Sequence, residues 1–426
     1  MPDSPASRAE LSELRVDAAR LWDRIEALGE VGAVHGPNGE RGCNRLALTD
    51  ADGAGRDLVV SWMTDLGLDV TIDGIGNVVA TRPGAEPSLA PVMTGSHIDT
   101  VRTGGRFDGI LGVLAGLEVL ETLIRHDVTT RRSVAVGFFT DEEGSRFAPD
   151  MLGSLVYVGG LSLEEALDVR AVDDDARLGD ELARLGYAGP TPCPAAVVPH
   201  AFVELHIEQG PVLEREGVTI GAVTGVQGIS WTELTIVGQS AHAGTTPMAM
   251  RHDAAYAAAA ITVGVRAIAR RLAGPQVATV GRLELTPGLV NVVANKAVLT
   301  VDLRHTDDGV LREAEAQLEQ ECRRVAEQEG VVVGRHVLAR FEPVSFDESM
   351  IELVESTSAA LGLSCRRMPS GAGHDAQMLS RVCPTSMIFV PSANGLSHNI
   401  AEHTAPEHVE AGANVLLQTL LARAFS

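Results

Sequence analysis

The chain has 426 residues, 45% of them hydrophobic, and its 57 acidic against 34 basic side chains give a formal net charge of -23. This length exceeds one ordinary hydrophobic core and indicates two domains, and the acidic balance argues against nucleic acid or an anionic membrane as a partner. The five cysteines include no C-x-x-C pair, so we expect a reducing cytoplasm and neither a zinc ribbon nor a disulfide framework.

Neither a signal peptide nor a membrane span is expected. Residues 1–5 (MPDSP) do not begin a basic region followed by an apolar one. No stretch approaches the roughly 18 uninterrupted apolar residues that a transmembrane helix needs. We therefore expect a protein of the cytoplasm.

Helices and strands alternate along the first half of the sequence. Apolar residues at three- and four-residue steps predict helices at 10–29, 53–67 and 109–125, and residues 161–190 read as a polar, interrupted helical region. Short apolar runs predict strands at 70–72, 78–80, 92–95, 133–140 and 202–206. Polar phrases follow the last three strands, at the position where open α/β sheets bind ligands.

The pattern changes between residues 223 and 342. Strands and helices are predicted there at 229–237, 252–272, 277–285, 297–304, 309–328 and 331–341. This β-α-β-β-α-β order is the ferredoxin-like split βαβ pattern. We therefore predict a mixed-sheet α/β domain made of residues 1–222 and 343–426, with a ferredoxin-like α+β domain inserted at 223–342.

Five phrases carry histidine and acidic side chains. They are GSHID (95–99), GRFDG (105–109), DEEG (141–144), ELHIEQG (204–210) and SHNIAE (397–402). Together they supply three histidines, an aspartate and a glutamate pair, which is what a two-metal hydrolytic site needs. A single histidine of this kind is more often a core or surface residue than a metal ligand. The probability that all five phrases lie at strand ends by chance is small.

The spacing within the first two phrases suggests a role for each acid. Asp99 lies two residues after His97, where its carboxylate could fix the imidazole tautomer or the backbone turn. The alternative is that His97 and Asp99 are simply polar residues at the end of a strand. Asp108 lies among glycines that allow a tight turn, so its two oxygens could bridge two cations, although Asp-Gly is also a common turn.

The acidic run at 141–143 follows a hydrophobic strand. Three adjacent acids would repel one another without a cation, which suggests one metal ligand and one general base that is free of the metal. A solvated acidic turn is the alternative. Near the end of the chain, Glu402 lies four residues after His398, close enough to support it from behind.

The predicted insertion has its own polar cluster. His242 lies in a tight turn within GQSAHAGTTP (238–247), and Asn291 and Arg304 lie on or beside neighbouring strands. An arginine fork matches a carboxylate, although a surface salt bridge explains Arg304 about as well. His374, flanked by glycines, is a further candidate for a substrate contact.

These phrases resemble those of the M20-type metallopeptidase-like amidohydrolases, in particular the hydantoinase/carbamoylase branch. That branch includes N-carbamoyl-L-amino-acid hydrolases, β-ureidopropionases and allantoate amidohydrolases. The match runs from about Leu11 to the C-terminus, and its most specific pieces include GSHIDTVRTGGRFDGILG, ELHIEQGPVLE and GQSAHAGTTPM. Typical M20 peptidases have an acidic ligand at the position of His206, so this residue favours an amidase.

The resemblance implies a site with two divalent metal ions, zinc or else manganese, cobalt or nickel. It places His97, Asp108 and His206 at one ion and Asp108, Glu143 and His398 at the other. Glu142 is the implied base, Asp99 and Glu402 lie behind the ligands, and Gln209 contacts the substrate. The family also implies a homodimer formed through the inserted lid domain, with His242, Asn291 and Arg304 reaching the substrate from the partner subunit.

The implied reaction is hydrolysis of the carbamoyl C–N bond of an N-carbamoyl-L-amino acid, a small substrate with a carboxylate. Allantoate amidohydrolase and β-ureidopropionase activities are the alternatives within the enzyme class. A catalytically dead ligand-binding protein on the same fold is a more remote alternative, and the intact Glu142 argues against it.

Overall fold

The computed structural model describes residues 8–426, with side chains from Leu11 onward. This part of the chain divides into two compact units. One, the catalytic unit, runs to Thr224 and resumes at Phe346–Ser426, and the other, the insertion, is Gly225–Ser345. Residues 1–5, where no signal peptide is expected, lie outside the described part. Among the described residues, no helix has the length and apolar character needed to cross a membrane.

The catalytic unit begins with alternating helices and strands. In chain order these are α1 (Arg8–Glu13), α2 (Ala18–Gly29), β1 (Ala33–His35), β2 (Arg41–Cys43), α3 (Asp50–Asp65), β3 (Asp69–Ile72), β4 (Val78–Arg82), β5 (Val92–His97), α4 (Ile110–Arg125), β6 (Val134–Phe139), α5 (Leu152–Tyr157), α6 (Leu163–Leu167), α7 (Leu178–Leu185), β7 (Ala201–Ile207), α8 (Val212–Glu216) and β8 (Ile220–Val226).

The insertion contains the second set of elements. They are β9 (Gly228–Val237), β10 (Ala241–His242), α9 (Ala254–Leu272), β11 (Val277–Thr286), β12 (Val292–Val293), β13 (Lys296–His305), α10 (Asp308–Glu329), β14 (Val332–Phe341) and β15 (Val344–Ser345). The catalytic unit then ends with α11 (Glu348–Ala360), β16 (Cys365–Ser370), α12 (Asp375–Leu379), β17 (Thr385–Val390) and α13 (Pro406–Ala424).

The predicted single helix at 10–29 is wrong, because the chain leaves the helical path between Glu13 and Ala18. The backbone N–H of Val16 donates to the side chain of Asn414, and that of Asp17 donates to Glu118. The Asp17 carboxylate then accepts from the N–H of Arg20 and caps a new helix. Contacts to distant parts of the sequence therefore make the break, which local periodicity does not reveal.

A mixed sheet forms the centre of the catalytic unit and confirms the predicted fold class. Its strands β17, β7, β5 and β6 are neighbours that run parallel. All residues of these four strands are buried, and α4 is buried from Ile110 to Leu123. Strands covered on both faces are expected to be continuously apolar, and their carboxyl ends meet at one edge of the sheet.

The insertion is built on a four-stranded antiparallel sheet, counted over the described residues, in the order β11-β13-β9-β14. Burial alternates along β9 and β13, so one face of the sheet is covered. Apolar side chains of α9 and α10, such as Ile261 and Leu318, pack on that face beside Leu299. The elements follow the β-α-β-β-α-β order of a ferredoxin-like fold.

Candidate metal centre

Two parallel strands bring His97 and His206 to the same edge of the sheet. His97 is the last residue of β5, and His206 lies one residue before the end of β7. The turn before α4 places Asp108 beside them. Gly109 ends this turn with φ of 69°, and a Cβ there would lie 2.4 Å from the ring of His97. Only glycine therefore allows the turn to approach the histidine so closely.

His97, Asp108 and His206 form a buried group whose ligand atoms all lie within 4.8 Å of one another. Asp108 Oδ1 is 3.7 Å from Nε2 of His97 and 3.1 Å from Nε2 of His206. Burial opposes ionisation of Asp108, but its contact with His206 and the charges of the neighbouring histidines hold its pKa below the ordinary value. The pKa of His206 is raised to about 9, because its contact with Asp108 outweighs its burial.

A second group uses the other oxygen of the same carboxylate. Asp108 Oδ2 is 3.5 Å from Nε2 of His398, which in turn lies 3.2 Å from Oε2 of Glu143. His398 has a positive φ of 53° and a side chain that is 53% exposed, so this group is the more open one. The contact with Glu143 raises the pKa of His398 to about 9.

The two groups fit a pair of divalent cations. Both consist of imidazole nitrogens and carboxylate oxygens, which suit zinc, manganese, cobalt and nickel. Because Asp108 turns one oxygen to each group, it is placed as a bridging carboxylate would be. These five residues are the ones that the family resemblance implies as ligands.

Glu142 lies beside the first group and belongs to neither. Its Oε2 is 3.5 Å from Nε2 of His97, and its side chain is 9% exposed. Burial and the charges of nearby acids, first Asp375 and then Glu143, raise its pKa well above the ordinary value. The centre therefore contains a carboxylate that has a raised proton affinity and is outside both ligand groups.

Backbone carbonyls orient the two buried histidines. Nδ1 of His97 lies 3.0 Å from the carbonyl oxygen of Asp99, and Nδ1 of His206 lies 2.9 Å from that of Ile207. Donation from Nδ1 leaves Nε2 without a proton in the neutral ring, and the N–H of Gly109 donates to Nε2 of His206 at 3.2 Å. Each Nε2 is thus presented as a ligand atom.

The carboxylate of Asp99 acts on the backbone of the glutamate pair. It accepts from the N–H groups of Glu142 and Glu143, both at 3.3 Å, while Oδ1 stays 3.9 Å from Nδ1 of His97. Burial raises the pKa of Asp99 to about 7. The sequence suggested that the carboxylate of Asp99 fixes either the imidazole of His97 or a backbone turn. In the structure the backbone carbonyl of Asp99 orients the imidazole, and its carboxylate holds the turn at Glu142 and Glu143.

Glu402 supports Asp108 and not, as the spacing suggested, His398. Its Oε1 accepts from the N–H groups of Phe107 and Asp108 at 3.1 Å each. A Cβ on Gly105 would lie 1.9 Å from this oxygen, so the glycine is required for the approach. The proposed ligand behind which Glu402 lies is thus Asp108, 294 residues away in the sequence, and not the neighbouring His398.

Gln209, expected at the substrate, contacts Asp108 in this structure. Its Nε2 donates to Asp108 Oδ2 at 2.9 Å, and the hydroxyl of Ser397 donates to the same oxygen at 2.9 Å. Ser397 was not among the residues predicted from the sequence. Its position next to His398, within one of the five phrases, is the feature of the sequence that could have identified it.

Glu204 and His374 form a further buried group with His206, in which the ligand atoms lie within 4.8 Å of one another. Glu204 accepts from the hydroxyl of Ser96 at 2.6 Å and from the N–H of Ala376 at 2.8 Å. It was missed, although alternation along a strand puts residues 204 and 206 on the same face. The ring of His374, predicted as a substrate contact, is buried 4.6 Å from that of His206, and burial lowers its pKa well below the ordinary value.

The insertion brings His242 and Asn291 together. β10 pairs with β12 at His242, and the N–H of Ala243 donates to the carbonyl of Asn291 at 3.0 Å. Arg304, on β13, forms an ion pair of 3.0 Å with Asp302, and its guanidinium lies 5.9 Å from the centre of the Trp231 ring. The salt bridge that the sequence left open for Arg304 is thus present.

Comparisons with known proteins identify the family of the chain. Residues 93–422 match the model of the peptidase family M20/M25/M40. An N-carbamoyl-L-amino-acid amidohydrolase of Rhizobium meliloti is 42% identical over 410 residues, 96% of this chain and 97% of that protein. Allantoate amidohydrolase of Escherichia coli is 38% identical over 348 residues, 80% of this chain and 83% of that protein.

A solved structure is similar over almost the whole chain. A hydantoinase/carbamoylase family amidase of Burkholderia multivorans superposes with a TM-score of 0.93 at 46% identity, and covers 97% of this chain and 99% of that one. The chain therefore belongs to the M20/M25/M40 peptidase family, in its hydantoinase/carbamoylase branch.

Proposed function

We propose that the protein is a dinuclear metal-dependent amidohydrolase that cleaves the carbamoyl C–N bond of N-carbamoyl-L-amino acids. The products are the amino acid and carbamate, which falls to ammonia and carbon dioxide. The observation that carries the proposal is the shared carboxylate of Asp108, with one oxygen toward each donor group, in a chain that matches such an amidohydrolase over 96% of its length.

His97, Asp108 and His206 would hold one ion, and Asp108, Glu143 and His398 the other. Two bound cations would polarise the scissile carbonyl and lower the pKa of water. Zinc is the first candidate, with manganese, cobalt or nickel as alternatives, since the donor types suit all four.

Glu142 is the proposed general base. It accepts a proton from the attacking water and returns it to the departing nitrogen, so that the C–N bond breaks as the amine is protonated. Burial supports this role, because it raises the proton affinity of the carboxylate. Exclusion from both ligand groups leaves the oxygens of Glu142 available for the proton.

The insertion supplies the proposed substrate contacts. Arg304 and Asn291 would bind the carboxylate of the substrate, with Gln209 as a further contact, and His242 would stabilise the oxyanion. His374 fits the role of a substrate contact less well, since its side chain is buried against His206. A bidentate guanidinium matches a carboxylate, and Arg304 already holds Asp302 in this manner.

A homodimer formed through the insertion completes the proposal. The edge strands β11 and β14 expose apolar side chains, among them Leu283, Leu285, Val332 and Val337. Exposed apolar residues on sheet edges are typical of surfaces that pair with another chain. Cytoplasmic localisation is proposed from the cysteines, since all five lie in the described part and are unpaired.

Ammonia release from a panel of substrates tests the function. The panel contains N-carbamoyl-L-amino acids, N-carbamoyl-β-alanine, allantoate and N-acetyl amino acids. We expect the highest kcat/KM on an N-carbamoyl-L-amino acid. A higher value on allantoate, the substrate that names the Escherichia coli relative, would replace the proposal with that activity, and a higher value on N-carbamoyl-β-alanine would indicate a β-ureidopropionase. If no substrate of the panel releases ammonia, the remaining alternative is a catalytically dead ligand-binding protein on the same fold.

A further inference from the structure

The imidazole of His242 accepts hydrogen bonds on one of its two nitrogens. Nδ1 lies 3.1 Å from the backbone nitrogen of Gly244 and 3.3 Å from that of Thr245, and both N–H groups donate to it. A ring nitrogen that accepts cannot itself carry a proton. The single proton of the neutral ring is therefore on Nε2, which has no hydrogen-bond partner among the described residues.

The turn that presents these N–H groups is held by one guanidinium. Arg251 donates from Nη2 to the carbonyl of Ala243 at 2.6 Å and from Nε to that of Thr246 at 3.1 Å. The carbonyl of Ala243 and the N–H of Gly244 belong to the same planar peptide unit and point in opposite directions. Fixing the carbonyl on one side therefore fixes the N–H that points at Nδ1 on the other.

The charge of Arg251 acts in the same direction as its geometry. A cation on the carbonyl oxygen polarises the peptide and makes its N–H a stronger donor. Two further backbone bonds close the turn, from Thr246 to the carbonyl of His242 at 3.1 Å and from Ala243 to that of Asn291 at 3.0 Å. Apart from the ring of His242 itself, Arg251 provides the only side chain among these contacts of the described residues.

We propose that Arg251 is a positioning residue that holds His242 in the Nε2–H form, so that His242 acts as a hydrogen-bond donor and not as a base. This deepens the proposed function and rests on it for the consequence in catalysis. An Nε2–H group is what the developing oxyanion of a carbamoyl group needs, because a preorganised donor stabilises the charge without rearrangement. Proton abstraction is then left to Glu142.

The tautomer can be measured without turnover. The zinc-loaded protein is labelled with ¹⁵N-histidine, and long-range ¹H–¹⁵N spectra are recorded for the wild type and for Arg251→Gln. The signals of His242 among the 13 histidines are identified by their loss in His242→Gln. We expect a protonated Nε2 and an unprotonated Nδ1 in the wild type, and a mixture of both tautomers in Arg251→Gln.

Kinetics on an N-carbamoyl-L-amino acid give the second readout. Arg251→Gln should lower kcat by roughly 10- to 100-fold with little change in KM, as expected when a catalytic group loses its alignment. Arg251→Lys should recover part of kcat, since an ammonium can hold one of the two carbonyls. Arg266→Gln is the matched control, because Arg266 is exposed on α9 outside the turn, and it should behave as the wild type.

A wild type with the proton on Nδ1 would overturn the inference. So would an Arg251→Gln protein that keeps both the single tautomer and the wild-type kcat. If Arg251→Gln does not fold, the same comparison is made with Arg251→Lys. A wild type that hydrolyses no carbamoyl amino acid would refute the proposed function, whereas the tautomer spectra would still decide the role of Arg251.

Discussion

The two adjacent glutamates that follow β6 have different surroundings. Glu143 lies 3.2 Å from His398 in the second donor group, whereas Glu142 lies 3.5 Å from His97 and is in neither group. The backbone N–H groups of both residues donate to the carboxylate of Asp99, which fixes the turn that carries them. A single step along the chain thus separates a carboxylate of the second donor group from one that lies outside both groups.

Substituting each glutamate separately tests this division. Glu142→Gln keeps the shape but cannot accept a proton, so we expect kcat lower by roughly 10²–10⁴-fold with wild-type metal content. Glu143→Gln is the matched variant and should lose metal. Both are read by steady-state kinetics and elemental analysis. Activity of Glu142→Gln within a few-fold of the wild type would make Glu142 a turn acid without a catalytic role.

At the scale of elements, helix α4 links the centre to an ion cluster. Its first turn follows Asp108, and Glu118 and Glu121 on its buried surface face Arg20 and Arg24 of α2. Burial opposes the charge of Glu121, but hydrogen bonds from Arg125 and Arg24 hold its pKa below the ordinary value of 4.5. The contact between α2 and α4 thus contains buried glutamates whose charges are stabilised by the arginines of α2.

Glu121→Gln should therefore lower the free energy of unfolding at pH 7 by about 2 kcal/mol, the order expected for hydrogen bonds to a charged group. A depressed pKa in the folded chain means that the stabilisation is complete above pH 4.5 and is lost as the pH falls through the folded value. In urea unfolding the difference from the wild type should thus shrink in acid. Glu30→Gln, at an exposed ion pair with Arg41, is the control and should change little. A difference that stays constant with pH would contradict the assignment.

Elements with strong local patterns could be predicted, and contacts between distant residues could not. The ends of β5, β6 and β7 were placed within two residues, because each of these strands begins with a short apolar run and is followed by a polar phrase. The break before α2 depends on Asn414 and Glu118, which no local pattern reveals. In the same way, the phrases identified His97 and Asp108, while the contacts of Ser397 and Glu402 with Asp108 span more than 280 residues.

At the scale of the whole molecule, the proposed division of labour lies between the metal centre and the insertion. The histidine and carboxylate groups all belong to the catalytic unit, whereas His242, Asn291 and Arg304 belong to the insertion. If the insertion serves the neighbouring subunit of a homodimer, two different lesions can complement each other. The homodimer and the sharing of sites remain predictions of the sequence.

Mixing Arg304→Ala with Glu142→Gln tests the sharing. Arg304→Ala alone should lose roughly 10- to 150-fold in kcat/KM, the equivalent of about 1.5–3 kcal/mol for a charge-assisted contact. After subunit exchange, some dimers should have one site with neither lesion, and activity should rise above that of either variant. Asp108→Ala mixed with Glu142→Gln is the control, since every site then keeps a lesion. If mass spectrometry shows that subunits have exchanged and the first mixture is still no more active than its Arg304→Ala content alone, sharing is excluded.

Titration of the metal-free protein with zinc or manganese tests the central claim most directly. Activity on an N-carbamoyl-L-amino acid and bound metal are measured together, with Asp108→Ala as the reference variant. Because both oxygens of Asp108 face donor groups, we predict that wild-type activity rises until two ions per chain are bound, and that Asp108→Ala loses metal at both positions. Full activity without metal or at one ion per chain, or two ions retained by Asp108→Ala, would contradict the account.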